Sequence, residues 1–318
     1  MNKLEKAAQT VITQALDLRK GEAVLIIADE PLLDLAHLLF AAAEKKTAHV
    51  HLLEVTRTFL HRNALCAPVE RLMQEMNVIL ALTSVSISHT NSRREACRHG
   101  ARCITMPAIT NDTFARIAEM DFGRIGRLSR KLADILTIAR EIEISAPNGT
   151  RLHIAAARAK GYADTGEVTQ PGAFSNLPAG EAALAPEFAG TSGELIVDSG
   201  MGVQLDDRER TLLSIRDGRI VRISGGQAAN RLRRALAPFG PEGRLIAEFG
   251  IGTNESARIC GHALEDEKVL GTIHIAVGNN LSFGGKNDVP IHLDAIAYKA
   301  SVAIDGRKVL EHGKLVLE

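Results

Sequence analysis

The first part of the chain alternates two hydrophobic patterns. Leu4, Ala7, Ala8, Val11, Ile12, Ala15 and Leu16 recur at helical spacing, and Gly21 follows as a stop. A short apolar run from Ala23 to Asp29 comes next, then PLLDLAHLLFAAAEKK, where Pro31 suits a first helical turn because its missing amide would be unpaired there. HVHLLEV, VILALTS and RCITMP read as further strands, with helices expected near Val69 to Met76 and Ser92 to His99. Short apolar runs alternating with helices are what a parallel sheet covered on both faces requires. Residues 1–125 are therefore expected to form an α/β scaffold domain. No G-x-G-x-x-G follows the first strand and there is no Walker A loop, so this region carries no nucleotide fingerprint.

The pattern changes after GRIGRLSRKLADILTIA, a linking helix. EIEISAPNGTRLHIAA places two alternating runs around Pro147, Asn148 and Gly149, a hairpin signal, and TLLSIRDGRIVRISG repeats it around Asp217 and Gly218. Strand-like runs recur at GELIVDSG, RLIAEFGIG, TIHIAVG and IHLDAIAYKASVAID, interrupted by one clear helix, Gln227 to Leu236. Residues 126–318 are expected to form a mainly antiparallel, β-rich α+β domain. The fold class predicted for the whole is α/β, a parallel-sheet domain followed by that second one.

Composition narrows the function classes. Lysine plus arginine equals aspartate plus glutamate at 38 each, so no global field favours a polyanion. Trp is absent and aromatics are 3%, which argues against a stacking platform for nucleic acid. Arg93, Arg94, Arg98 and Arg102 read as a solvated face. The N-terminus lacks the apolar core of a signal peptide, and no run approaches the ~20 apolar residues of a membrane span. The expectation is a cytoplasmic protein with no membrane partner. Cys66, Cys97, Cys103 and Cys260 contain no C-x-x-C pair, so neither structural zinc nor a disulfide framework is expected.

Candidate chemistry concentrates in four segments of the second half. Glu181 lies in SNLPAGEAALAP, where small residues let the backbone pass close to something; alone it reads as a loop glutamate. Glu248 lies inside the apolar strand RLIAEFGIG, where a charge is costly unless paired, protonated or bound to a cation; the alternative is the solvent face of a half-buried strand. His274 is enclosed by Ile273 and Ile275, and taken alone is a satisfied core residue as readily as a ligand. His292 and Asp294 are two apart, so on a strand they share a face. Three carboxylates and two imidazoles suit zinc, manganese, cobalt or iron, one or two ions. Asn254, Asn279 and Asn280 read as turn residues, and Ser84 to His89 as a turn after a parallel strand. His262, Asp266 and Glu267 lie between two of the candidate strands.

These segments resemble, in order, the motifs of the aminopeptidase T and aminopeptidase S family of metallopeptidases. NLPAGEAALAP is similar to that family's Asn-Leu-Pro…Glu block, IAEFGIGTN to its second glutamate block, DEKVLGTIHIAVG to its His-Ile-Ala-x-Gly block and NDVPIHLD to its closing His-x-Asp block. The resemblance implies that Glu181, Glu248, His274, His292 and Asp294 are metal ligands, that two ions act on a peptide N-terminus, that Glu181 or Glu248 shuttles the proton, and that the protein is a homodimer. Leu281 stands where the family carries a tyrosine. The chain also looks closer in length to a related offshoot, the iron-dependent 2,5-dihydroxypyridine dioxygenases. Three functions stand in order: a metal-dependent aminopeptidase, a mononuclear iron ring-opening dioxygenase, and a non-catalytic relative binding a peptide or small molecule.

Overall fold

The structure is a computed structural model that describes residues 1–56, 65–156, 159–202 and 210–317. Its contacts fall into two units, Met1–Gly126 with Asp164–Ala179, and Arg127–Ala163 with Gly180–Glu318. In chain order the strands are β1 (Val24–Ala28), β2 (Val50–Glu54), β3 (Val78–Leu82), β4 (Arg102–Thr105), β5 (Glu141–Ser145), β6 (Arg151–Ala155), β7 (Tyr162–Asp164), β8 (Phe174–Asn176) and β9 (Glu181–Leu184). There follow β10 (Glu187–Val197), β11 (Ser199–Gly200), β12 (Thr211–Arg216), β13 (Arg219–Ser224), β14 (Ile246–Gly252), β15 (Ile273–Gly278), β16 (His292–Ala297), β17 (Ser301–Ile304), β18 (Arg307–Glu311) and β19 (Lys314–Leu315).

The first unit holds a parallel five-stranded sheet in the order β2-β1-β3-β4-β8. Every residue of β1, β3 and β4 is buried, as expected for strands covered on both faces. The fifth strand, β8, comes from residues that the sequence pattern groups with the second half. It is three residues long, too short to carry a periodicity signal. The basic stretch departs from its expected solvated face, because Arg93 and Arg102 are buried. Arg102 pairs with Glu22 at 2.6 Å and donates to the carbonyl of Val168 at 2.8 Å. Arg93 donates to the Ser88 carbonyl at 2.8 Å and lies 4.0 Å from the centroid of the Phe174 ring. Phe174 against Arg93, and Glu22 and Val168 against Arg102, are distant in sequence, which a local charge pattern cannot show.

At the carboxyl edge of this sheet, polar side chains close on each other. Asp29 accepts from the backbone amide of Ser84 at 2.8 Å and from its hydroxyl. Ser88 and Thr105 hydroxyls meet at 2.7 Å, and both donate to Asn176. The segment after β3 is thus a hydrogen-bonded turn.

The second unit contains an eight-stranded sheet, β13-β12-β10-β6-β5-β17-β18-β19, and a six-stranded one, β11-β16-β15-β14-β9-β7. Both expected hairpins form, β5 with β6 and β12 with β13. The second turns at Asp217 and Gly218, both with positive φ, as a tight two-residue hairpin turn requires. One hydrophobic cluster takes residues from both sheets, including Ile142, Leu152, Leu195 and Val302 from the larger and Phe249, Ile251, Ile273, Ile275, Val277, Ala295 and Ala297 from the smaller. The helix Gln227–Leu236 buries Ala228, Ala229, Leu232 and Leu236 at i, i+1, i+4 and i+8, one face of a 3.6-residue period. Among the described residues, no helix is long and apolar enough to cross a membrane.

Candidate metal centre

The six-stranded sheet commits one face to the core, and strand alternation sends the intervening residues to the other. On β14 the core face takes Phe249 and Ile251, leaving Glu248, Gly250 and Gly252 opposite. On β15 the core face takes Ile273, Ile275 and Val277, leaving His274, Ala276 and Gly278. The register aligns Glu248 with Ala276 and Ala276 with Asp294, Gly250 with His274, Gly278 with His292, and Gly252 with Glu181. All five expected donors therefore share one sheet face, on four neighbouring strands, with Gly and Ala between them. The small residues are what leave room. A Cβ on Gly250 would lie 2.2 Å from both Nε2 and Cε1 of His274, so glycine there lets the imidazole lean across its neighbour strand.

Glu181 opens β9 and is buried, where the sequence suggested a loop; Glu248 is buried too, not on a solvent face. Nε2 of His274 lies 3.2 Å from Glu181 Oε2 and 3.3 Å from Glu248 Oε1. Nε2 of His292 lies 3.2 Å from Glu248 Oε2 and 3.4 Å from Asp294 Oδ1. Glu248 thus faces one histidine with each oxygen. The other ring nitrogen of His292, Nδ1, lies 2.7 Å from the carbonyl of Asn279, which fixes the ring and directs Nε2 into the centre. Phe283 stacks on His292 with centroids 6.0 Å apart.

The electrostatics are those of charges held close together, with Glu181, Glu248 and His274 buried and His292 and Asp294 partly exposed. Burial opposes the charge on Glu248, but hydrogen bonds from His274 and His292 outweigh it and hold the carboxyl below its ordinary range. Burial likewise opposes Asp294, and the charge and hydrogen bond of His292 keep it low. Burial would lower His274, yet its hydrogen bond to Glu248 and the charges of Glu181, Glu248 and Glu267 push it up to about 9. His292 is raised well above the usual imidazole value: burial opposes this, and Asp294 and Glu248 override it. Burial pushes Glu267 up to about 8; Lys268 opposes the shift, while Asp294 and Glu181 add to it.

This donor set fits a divalent cation. Two atoms each about 2.1 Å from a tetrahedral ion lie about 3.4 Å apart, and the four imidazole–carboxylate separations are 3.2–3.4 Å. They are longer than the ~2.8 Å of a well-made charge-assisted hydrogen bond. Glu181 Oε2 is buried and lies 2.6 Å from Lys268 Nζ and 3.2 Å from His274 Nε2, so a cation is already matched to it. Glu181, Glu248 and His274 form one group whose donor atoms lie within 4.8 Å of one another, and Glu248, His292 and Asp294 form a second. The two groups share Glu248. No cysteine approaches, which suits zinc, manganese, cobalt or iron over thiolate-preferring metals.

Sequence reasoning missed Lys268. It is 1% exposed and pairs with Glu181 at 2.6 Å and Glu267 at 2.9 Å. Its setting, EDEK, looks like a solvated turn, and only the apolar strand just after it hinted at burial. Asp266, by contrast, accepts from the amides of Cys260 and Gly261 and the Tyr298 hydroxyl, holding a loop. The asparagines act as turn residues: Asn254 accepts from the Ser256 amide, Asn279 from that of Leu281 and Asn280 from that of Asn287. Leu281 lies in the short helical turn Leu281–Phe283, directly after Asn280.

One unit is a parallel α/β unit and the other a two-sheet β-rich unit carrying a carboxylate–imidazole centre, which defines an α/β protein with a candidate metal site. The sequence profile of 2,5-dihydroxypyridine 5,6-dioxygenase matches residues 4–317, and the chain belongs to that family. The 2,5-dihydroxypyridine dioxygenase from Pseudomonas putida KT2440 is 20% identical, with a TM-score of 0.83 over 100% of this chain and 99% of that one. AmpT from Thermus thermophilus is 16% identical, with a TM-score of 0.72 over 99% of each chain. At these identities the likeness is one of fold. No curated protein sequence matches.

Proposed function

We propose that this chain is a metal-dependent hydrolase of amide bonds, an aminopeptidase acting on peptide N-termini through a two-ion centre. The observation that carries the reading is that the two donor groups share Glu248, because a carboxylate facing two positions can bridge two ions. Bound divalent ions would supply Lewis acidity toward the scissile carbonyl and lower the pKa of water. The chain's own groups do the rest. His274 and Glu181 hold one side, His292 and Asp294 the other, and Glu248 spans them. Glu181 or Glu248 is the group we assign to take the proton from the attacking water. Phe283, stacked on His292, offers an apolar wall to a substrate side chain. Leu281 supplies no phenol for an oxyanion.

A second reading is a ring-opening dioxygenase with one ferrous ion at Glu248, His292 and Asp294. The family match over nearly the whole chain favours it. Metal-free protein reloaded with zinc, manganese or cobalt and assayed on amino-acyl anilides tests the first reading; ferrous loading without oxygen, then oxygen uptake with 2,5-dihydroxypyridine, tests the second. Anilide cleavage with two ions per chain supports the hydrolase. Oxygen uptake at one iron per chain, with no cleavage under any metal, removes it.

A further inference from the structure

Lys268 is a buried cation beside the proposed metal ligands, and its segment is pinned there. Residues 267–269 cross the sheet over Gly252, the residue paired with Glu181. A Cβ at Gly252 would lie 2.1 Å from the carbonyl oxygen of Val269 and 2.8 Å from that of Glu267, so only glycine admits this crossing. The Asn254 amide donates to the Lys268 carbonyl at 2.9 Å, the Lys268 amide donates to Glu265 at 2.9 Å, and Thr272 Oγ1 donates to the carbonyls of Val269 at 2.8 Å and Glu267 at 3.2 Å. The ammonium is thereby delivered to Glu181 Oε2 at 2.6 Å, the same oxygen that lies 3.2 Å from His274 Nε2.

We propose that the Lys268 ammonium holds the cation position on the Glu181–His274 side, so that divalent metal loads in order: first at Glu248, His292 and Asp294, then beside Glu181 in competition with Lys268. The proposal rests on the two-group reading of the centre and specifies how its sides differ. An ammonium wedged between two carboxylates yields by moving, and here the backbone that carries it is tied on both sides. A dication a few ångströms from an ammonium is also repelled by it, strongly so where water is excluded. Glu181 is therefore engaged by a tethered cation before any metal arrives, while Glu248 and Asp294 meet His292 only at 3.2 and 3.4 Å.

The test is calorimetric titration of the metal-free full chain with zinc and with manganese, with elemental analysis at saturation, for the unaltered protein and for Lys268→Met and Lys268→Arg. The unaltered chain should show two classes of site, the second about tenfold or more weaker. Lys268→Met should tighten the second class by about tenfold or more and leave the first within about threefold, whereas Lys268→Arg should keep the original order. Two equal classes in the unaltered chain overturn the proposal, as does a second class that Lys268→Met leaves unchanged or weakens. If the unaltered chain takes one ion and Lys268→Met takes two, the two-ion hydrolase reading fails while Lys268 stands as the blocking cation. If both take one, Lys268 is not the competitor. Should Lys268→Met not fold, Lys268→Gln replaces it. Anomalous diffraction from unaltered crystals at low and high metal needs no variant: occupancy appearing first beside Glu181 overturns the order.

Discussion

Two clusters of buried polar side chains lie at sheet surfaces in this protein, and they differ in whether they are complete. At the carboxyl edge of the parallel sheet, Asp29 takes two bonds from Ser84, and Ser88, Thr105 and Asn176 satisfy one another. On the outer face of the six-stranded sheet, each histidine meets two carboxylates at 3.2–3.4 Å, longer than a well-made charge-assisted hydrogen bond. Burying polar atoms is expensive in both places, but the first cluster offsets the cost internally. The second sets the donor atoms of each of its two groups within 4.8 Å of one another, the spacing that a shared ion would suit. Burial and polarity alone do not mark a site; the mismatch between acceptors present and donors well placed does.

Substitutions should separate the two clusters, and the largest effect belongs to His292. His292→Ala removes a donor from the group it shares with Glu248 and Asp294, and metal affinity measured by calorimetry should fall by about 100-fold or more. Gly250→Ala comes next. Its methyl would occupy the volume of the His274 ring, so it should weaken metal binding about 10–100-fold and cost about 1–3 kcal/mol in denaturant unfolding.

Proton competition is the third contrast. His274, held up to about 9 in the metal-free fold, must lose its proton to bind an ion. Affinity should therefore climb as pH rises toward about 9, by about tenfold per unit for each proton released. The same raised value gives the metal-free protein a stabilising contribution that is complete below the unfolded imidazole value of ~6.5 and is lost as pH rises through about 9. Titrations at several pH values check the first, and metal-free melting curves the second. The smallest effect is expected in the closed cluster: Ser88→Ala should cost about 1 kcal/mol and leave metal binding unchanged.

Much of this was readable from the chain, for physical reasons that differ by residue. Glu248 stood out because an acid inside IAEFGIG has no inexpensive apolar explanation, and His292 with Asp294 because a spacing of two places both on one strand face. The alternation that buries Ile273, Ile275 and Val277 also fixed where His274 points. Glu181 was harder: its Pro- and Gly-rich approach resembles a loop, and only pairing with β14 makes it a buried strand residue. Lys268 carried almost no signal, since a lysine in EDEK is indistinguishable from a solvated one until Gly252 lets its backbone cross the sheet. Arg93 and Arg102 show the same limit in the parallel unit, where partners lie on other elements.

The most direct measurement is a zinc or manganese titration of the metal-free chain at pH 8, followed by thermal unfolding, alongside Glu248→Gln. Saturating binding in the unaltered protein should raise stability by about 2.7 kcal/mol at a hundredfold excess over the dissociation constant, and Glu248→Gln should abolish the gain. Equal binding and equal stabilisation in both proteins would place the ion elsewhere and contradict a centre built around Glu248.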